Sequence, residues 1–127
     1  MKIEIRYIEL KSGYTDDGPA WIAPVAFSKS GKTVYFNNHA FERYNGVRGN
    51  HVDIETGEEY WISGVKKSSP NRHPCGRGKI LVALSVWDEF LGITGQKNPD
   101  KSIYEAVDIP PVYPVERIYE LVNKNNS

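Results

Sequence analysis

One cysteine, Cys75, stands among the 127 residues, so no intramolecular disulfide can form, which fits a reducing compartment. Long apolar runs are missing as well. None reaches the ~18–20 residues that a membrane-spanning helix needs. The opening Met1-Lys2-Ile3-Glu4-Ile5-Arg6 alternates apolar with charged side chains and has no continuous apolar stretch, so no signal peptide is expected. The protein is expected in the cytoplasm, with no membrane partner. Net charge is absent too: Lys and Arg number 16, Asp and Glu number 16, and the formal charge is +0. No global field draws this chain to nucleic acid or to anionic lipid, so any electrostatic function must be local.

What is present fits one small domain over residues 1–127. Hydrophobic residues make up 39% and charged residues 25%, close to ordinary globular usage and far from disorder. The length serves one core and is short for two. The 8 Tyr, 4 Phe and 3 Trp supply large side chains for a small β core.

The pattern is mostly of strands. Residues 2–9 alternate, with Ile3, Ile5 and Tyr7 on one side and Lys2, Glu4 and Arg6 on the other, which predicts a first strand with one largely polar face. Residues 11–19 read as a loop. Trp21 to Phe27 and Thr33 to Phe36 read as a hairpin, with Pro24 placing the first of these strands at an edge or a bulge. Ala40, Phe41 and Tyr44 have helical spacing and suggest at most one short helical turn between Asn37 and Asn50. His51 to Glu55 and Tyr60 to Ser63 form a second hairpin around Gly57. Residues 68–78 read as a long polar loop. Residues 80–91 carry both strand and helix signals, residues 96–102 form a loop, and 103–109 fit a last strand. Pro114 opens a C-terminal amphipathic helix over about 114–124, with Val115, Ile118, Tyr119 and Val122 on its apolar face and a frayed end from Asn125. The sum is an α+β, mostly β chain: a small SH3-like or OB-like barrel, or a rolled antiparallel sheet, with a C-terminal helix. Tyr35, Ile54, Trp61 and Ile62 are core candidates.

Thr33-Val34-Tyr35-Phe36, the run Gly49 to Lys67 with its Glu55-Thr56-Gly57-Glu58-Glu59-Tyr60-Trp61 centre, and Arg72, Gly78 and Lys79 together resemble a group of small uncharacterised bacterial proteins. These are sometimes labelled as deoxyxylulose-phosphate synthase fragments. The resemblance covers residues 33–79 and does not extend to 80–127. That label implies a thiamine-diphosphate enzyme, whose large cofactor domains a chain of 127 residues cannot build, so no cofactor is expected.

The chemistry-bearing signal is a run without acids. Between Tyr60 and Trp87 the charged side chains are Lys66, Lys67, Arg72, Arg77 and Lys79, joined by His73. Such cations neutralise phosphates, and Tyr60 and Trp61 could stack bases. The same residues would also serve as a solvated loop that keeps an edge strand soluble. The binding candidates are Lys66, Lys67, Arg72, His73, Arg77, Lys79, Tyr60 and Trp61. No catalytic or metal residue is assigned. His39 and His51 stand twelve apart and Cys75 follows His73 by two, which matches no zinc spacing. Cys75 between Arg72 and Arg77 has no oriented base beside it. Gly76-Arg77-Gly78-Lys79 lacks the phosphate-loop spacing.

Three functions follow as expectations. The first is a non-enzymatic binding module that meets nucleic acid through residues 66–79 or a protein partner at a sheet edge. The second is an immunity or antitoxin-type protein that neutralises a partner protein. The third is a metal-independent ribonuclease using His39, His51 and His73 as general acid and base, with Arg72 and Lys79 on the phosphate.

Overall fold

The computed structural model describes residues 1–11, 18–67 and 78–125. Residues 126–127 of the frayed end expected from Asn125, residues 68–77 of the long loop expected at 68–78 and residues 12–17 of the loop expected at 11–19 lie outside the described residues, while Asn125 itself ends the C-terminal helix.

Among the described residues eight strands make one sheet: β1 (Lys2–Leu10), β2 (Ala20–Phe27), β3 (Thr33–Phe36), β4 (His39–Arg43), β5 (His51–Asp53), β6 (Glu59–Ser63), β7 (Ile80–Ala83) and β8 (Tyr104–Val107). Their order is β1-β6-β5-β4-β3-β2-β7-β8, and β1 also pairs with β2. That extra pairing closes β1 to β6 into a six-stranded antiparallel barrel, with β7 and β8 as a parallel extension. Helix α1 (Trp87–Thr94) joins the two added strands, and α2 (Val115–Asn125) follows them. The chain is therefore a small SH3- or OB-like barrel carrying a C-terminal helix.

The register explains the sequence pattern. Directly opposed residues of neighbouring strands share a face. Ile8 faces Ile62 and Leu10 faces Tyr60; Val34 faces Phe41, and Phe41 faces Asp53. These side chains fill the barrel. Tyr7, Ile22, Ala26, Tyr35 and Ala40 point the other way and are nevertheless buried. Phe90 of α1 and Tyr104 of β8 belong to the same core as Tyr7 and Ile22, whereas Ile118 of α2 closes over Ala26, Tyr35 and Ala40. Because both faces of β2 are covered, Ala20-Trp21-Ile22-Ala23-Pro24-Val25-Ala26-Phe27 reads as a continuous apolar run rather than an alternation.

Several expectations need correction. β2 is central, not an edge. Pro24 is tolerated because β7 pairs with residues 20–22 and β3 with residues 26–27, so Pro24 falls in the gap between these two partners. Its carbonyl there accepts a bond from Tyr113 Oη at 3.3 Å. The largely polar face of β1, with Lys2, Glu4 and Arg6, also bears Ile8 as expected, and it leads into the barrel. On the opposite face Glu9 is buried, at 2% exposure, held by the Tyr7 hydroxyl and by Lys11 Nζ at 2.8 Å.

Residues 39–43 form a strand, not a helical turn. Asn37 and Asn38 both take positive φ, 48° and 66°, and make the two-residue hairpin connection whose twist suits flanking strands. Asn37→Val should therefore cost about 1–2 kcal/mol, because a β-branched residue is strained there. Asn37→Gly should leave stability nearly unchanged. Urea unfolding of the two variants is the check.

The second hairpin forms as expected, with Gly57 at φ 78°. Asp53 fixes its turn, since one carboxylate oxygen accepts the amides of Glu55 and Thr56 at 2.9 and 3.2 Å. Residues 80–91 hold both a strand and the start of a helix, and α1 stops at Gly95 with φ 70°. In α2 the docked side chains are Val115, Ile118 and Leu121. Tyr119 and Val122, expected on the buried face, are 68% and 42% exposed. In this rotation Arg117 pairs with Glu55 at 2.8 Å and donates to the Asn38 carbonyl at 2.7 Å. Among the core candidates Tyr35 and Ile62 are buried, Ile54 is half-buried, and Trp61 is not a core residue. No helix among the described residues is long and apolar enough to cross a membrane.

Candidate functional site

The expected binding residues separate. Lys66 and Lys67 are exposed where the chain leaves β6, and Lys79 is exposed where it enters β7. Arg72, His73 and Arg77 lie outside the described residues, as does Cys75. Tyr60 cannot stack on a ligand: its ring points into the barrel and packs against Phe41 with centroids 4.6 Å apart. Burial, with the Glu58 and Asp53 charges nearby, pushes its phenol up to about 12. Trp61 faces outward, 40% exposed, opposite Glu9.

Lys79 opens onto a cleft of about 550 Å³ formed by the start of β7, helix α1, the 96–102 loop and β8. Its apolar wall is formed by Trp87 and Leu91 of the helix and Tyr104 of β8, with Phe90 packed behind them. Trp87 lies 5.6 Å from Phe90, and Phe90 lies 4.9 Å from Tyr104. Phe90 is in the core, while Trp87, half-buried, and Leu91 line the cleft.

The loop across from them is ordered by Asp100. Its carboxylate accepts the Ser102 amide at 2.8 Å and hydroxyl at 2.7 Å, which together hold its carboxyl below the usual range. Its backbone oxygen accepts the amides of Ile103 and Tyr104. This turn displays Lys101, and Lys97 stands on the same rim. Among the described residues, three lysines thus border the cleft against one carboxylate, Glu105, which lies 3.7 Å from Lys79. Apolar walls with a few convergent charged groups, at this volume, are what a small-ligand site requires.

The barrel mouth holds a cavity of about 590 Å³, but its chemistry is self-satisfied. Lys2 pairs with Glu4 at 2.8 Å, Arg6 pairs with the same carboxylate, and the Arg6 guanidinium rests 5.3 Å from the centre of the Phe27 ring.

The two described histidines, His39 and His51, are held by different partners. His39 Nδ1 lies 3.0 Å from the Asp53 carboxylate that also caps the hairpin. His51 Nδ1 donates to Asn50 Oδ1 at 2.8 Å; that oxygen is an acceptor, because it also takes the Ile62 amide. Burial and the nearby Arg43 charge push His51 down to about 4. Among the described residues no three His, Cys, Asp or Glu side chains could together hold a metal ion.

The sequence signals Lys79 but not Lys97, Lys101 or the cleft-facing side of Trp87. The available signal was that residues 96–102 carry two lysines and one acid. Their proximity to Lys79 depends on β7 and β8 pairing in parallel across α1, which no local spacing reports. No family model matches the chain, and no curated protein or solved structure is similar to it.

Proposed function

We propose that the protein is a non-enzymatic binding module for nucleic acid, with the cleft beside Lys79 as its phosphate-meeting surface. The observation that carries this reading is the convergence of Lys79, Lys97 and Lys101 on one apolar-walled cleft in a chain of zero net charge. Lys66 and Lys67, with the acid-free segment that follows them, extend the positive character toward Lys79 along the sequence. A patch of this kind attracts a polyanion locally even though the whole molecule does not.

The ribonuclease reading is weakened by His51, which is 7% exposed and committed to Asn50. The test is a titration of labelled single- and double-stranded RNA and DNA at low salt. Binding to at least one of them, weakening steeply as salt rises, is the expected result. Absence of binding to all four would leave an acidic protein partner, as for an immunity protein, as the better account.

A further inference from the structure

We propose that the cleft beside Lys79 receives one unpaired nucleotide whose base carries an exocyclic amine, the base lying on Trp87, its amine on Glu105 and the phosphate on the lysine rim. This rests on the nucleic-acid reading above and narrows it.

The first constraint on the ligand is size. A volume of about 550 Å³ suits one small ligand, and the polymer must continue outside. The second is the wall. One indole lines the cleft, already braced on one side by Phe90 at 5.6 Å, so it offers a platform for a single base. Base–aromatic stacking of this kind needs an unstacked base, which single strands supply at least cost.

The third is the position of Glu105. A carboxylate inside a phosphate site would be a liability if the phosphate alone occupied it. At 3.7 Å the Lys79–Glu105 pair is at the loose end of ion-pair contact, and both side chains are about half exposed, 50% and 51%. Such a pair holds weakly. Lys79 is thereby free to turn to a phosphate, and the Glu105 carboxylate to accept from an amine, as carboxylates do from the N4 of cytosine. A charge that opposes a bare anion thus favours an amine-bearing base with a phosphate attached.

The experiment measures binding of cytidine and uridine 5′-monophosphates and ribose 5-phosphate to the full chain, with a single-stranded oligonucleotide as control. Cytidine monophosphate should bind about 3–30-fold more tightly than uridine monophosphate. Ribose 5-phosphate should bind weakest. Glu105→Gln should reduce the cytidine preference, and Trp87→Leu, which keeps an apolar side chain against Phe90, should weaken both nucleotides by roughly 5- to 100-fold. Tryptophan emission of the unmodified chain, quenched by the nucleotide and not by ribose 5-phosphate, gives a readout independent of whether the variants fold. Equal affinity for the three small ligands, with the oligonucleotide still bound, would overturn the single-nucleotide site and leave the nucleic-acid module standing. Failure of the oligonucleotide itself to bind would overturn the reading beneath it.

Discussion

Replacing Phe41 with alanine should destabilise the protein by about 3–5 kcal/mol, while replacing Trp61 with alanine should cost only about 1 kcal/mol. Phe41 is fully buried in the barrel, its ring against Tyr60, and opposes Val34 and Asp53 across neighbouring strands. Its removal takes apolar area out of the core and leaves a cavity that rigid strands cannot close. Trp61 is the larger side chain but stands on the outside of β6, so much of its area is in water in the native state. A loss of 3–5 kcal/mol is a large share of the ~5–15 kcal/mol that holds an ordinary domain together. Urea unfolding midpoints of the two variants check the contrast. Equal destabilisation by both would contradict the outward placement of Trp61.

The second large effect is of pH. His51 is buried beside Arg43 and pushed down to about 4 from an ordinary value of 6.5, so the folded protein refuses a proton that the unfolded chain accepts. Between these two values the unfolded state binds more protons, and stability must fall as pH falls. The contribution is fully present above pH 6.5 and is lost on going down to pH 4, amounting to about 1–3 kcal/mol once solvent screening is allowed for. His51→Gln retains a donor for Asn50 and removes the titration. The drop in unfolding free energy from pH 7 to pH 4 should therefore be about 1–3 kcal/mol smaller in the variant than in the unmodified chain. Parallel pH dependence in the two proteins would show that His51 titrates normally and is not enclosed by the barrel.

The hairpins were legible because their signals are local. Gly57 between two β-branched and aromatic runs needs nothing from the rest of the chain to be read as a turn. Pro114 likewise marks the start of α2. The failures have one physical cause, namely that tertiary contacts choose between patterns that local spacing leaves equivalent. Ala40, Phe41 and Tyr44 suit a helix as well as a strand, and the Asn37-Asn38 turn, which decides the matter, is a weaker signal than Asn-Gly. Val115, Ile118, Leu121 and Val122 offer two overlapping helical stripes, and the fold docks the one with Leu121, with Arg117 paired to Glu55. Pro24 argued for an edge because a chain cannot announce that two different strands will share one flank of β2 and leave a gap at that residue. The cleft was half legible. Lys79 belongs to a visible cationic run, whereas Lys97, Lys101 and Trp87 reach it only through a parallel strand pair.

The salt dependence of single-stranded oligonucleotide binding, compared between the unmodified chain and Lys79→Gln/Lys97→Gln/Lys101→Gln, tests the cleft most directly. Each phosphate neutralised on a single strand contributes a slope of roughly −0.7 to the log–log plot of affinity against salt. The triple variant should bind more weakly at low salt and show a slope shallower by about 2, with its melting temperature little changed because exposed charges stabilise little. An unchanged slope and affinity in a folded triple variant would contradict the assignment of this cleft to phosphate binding.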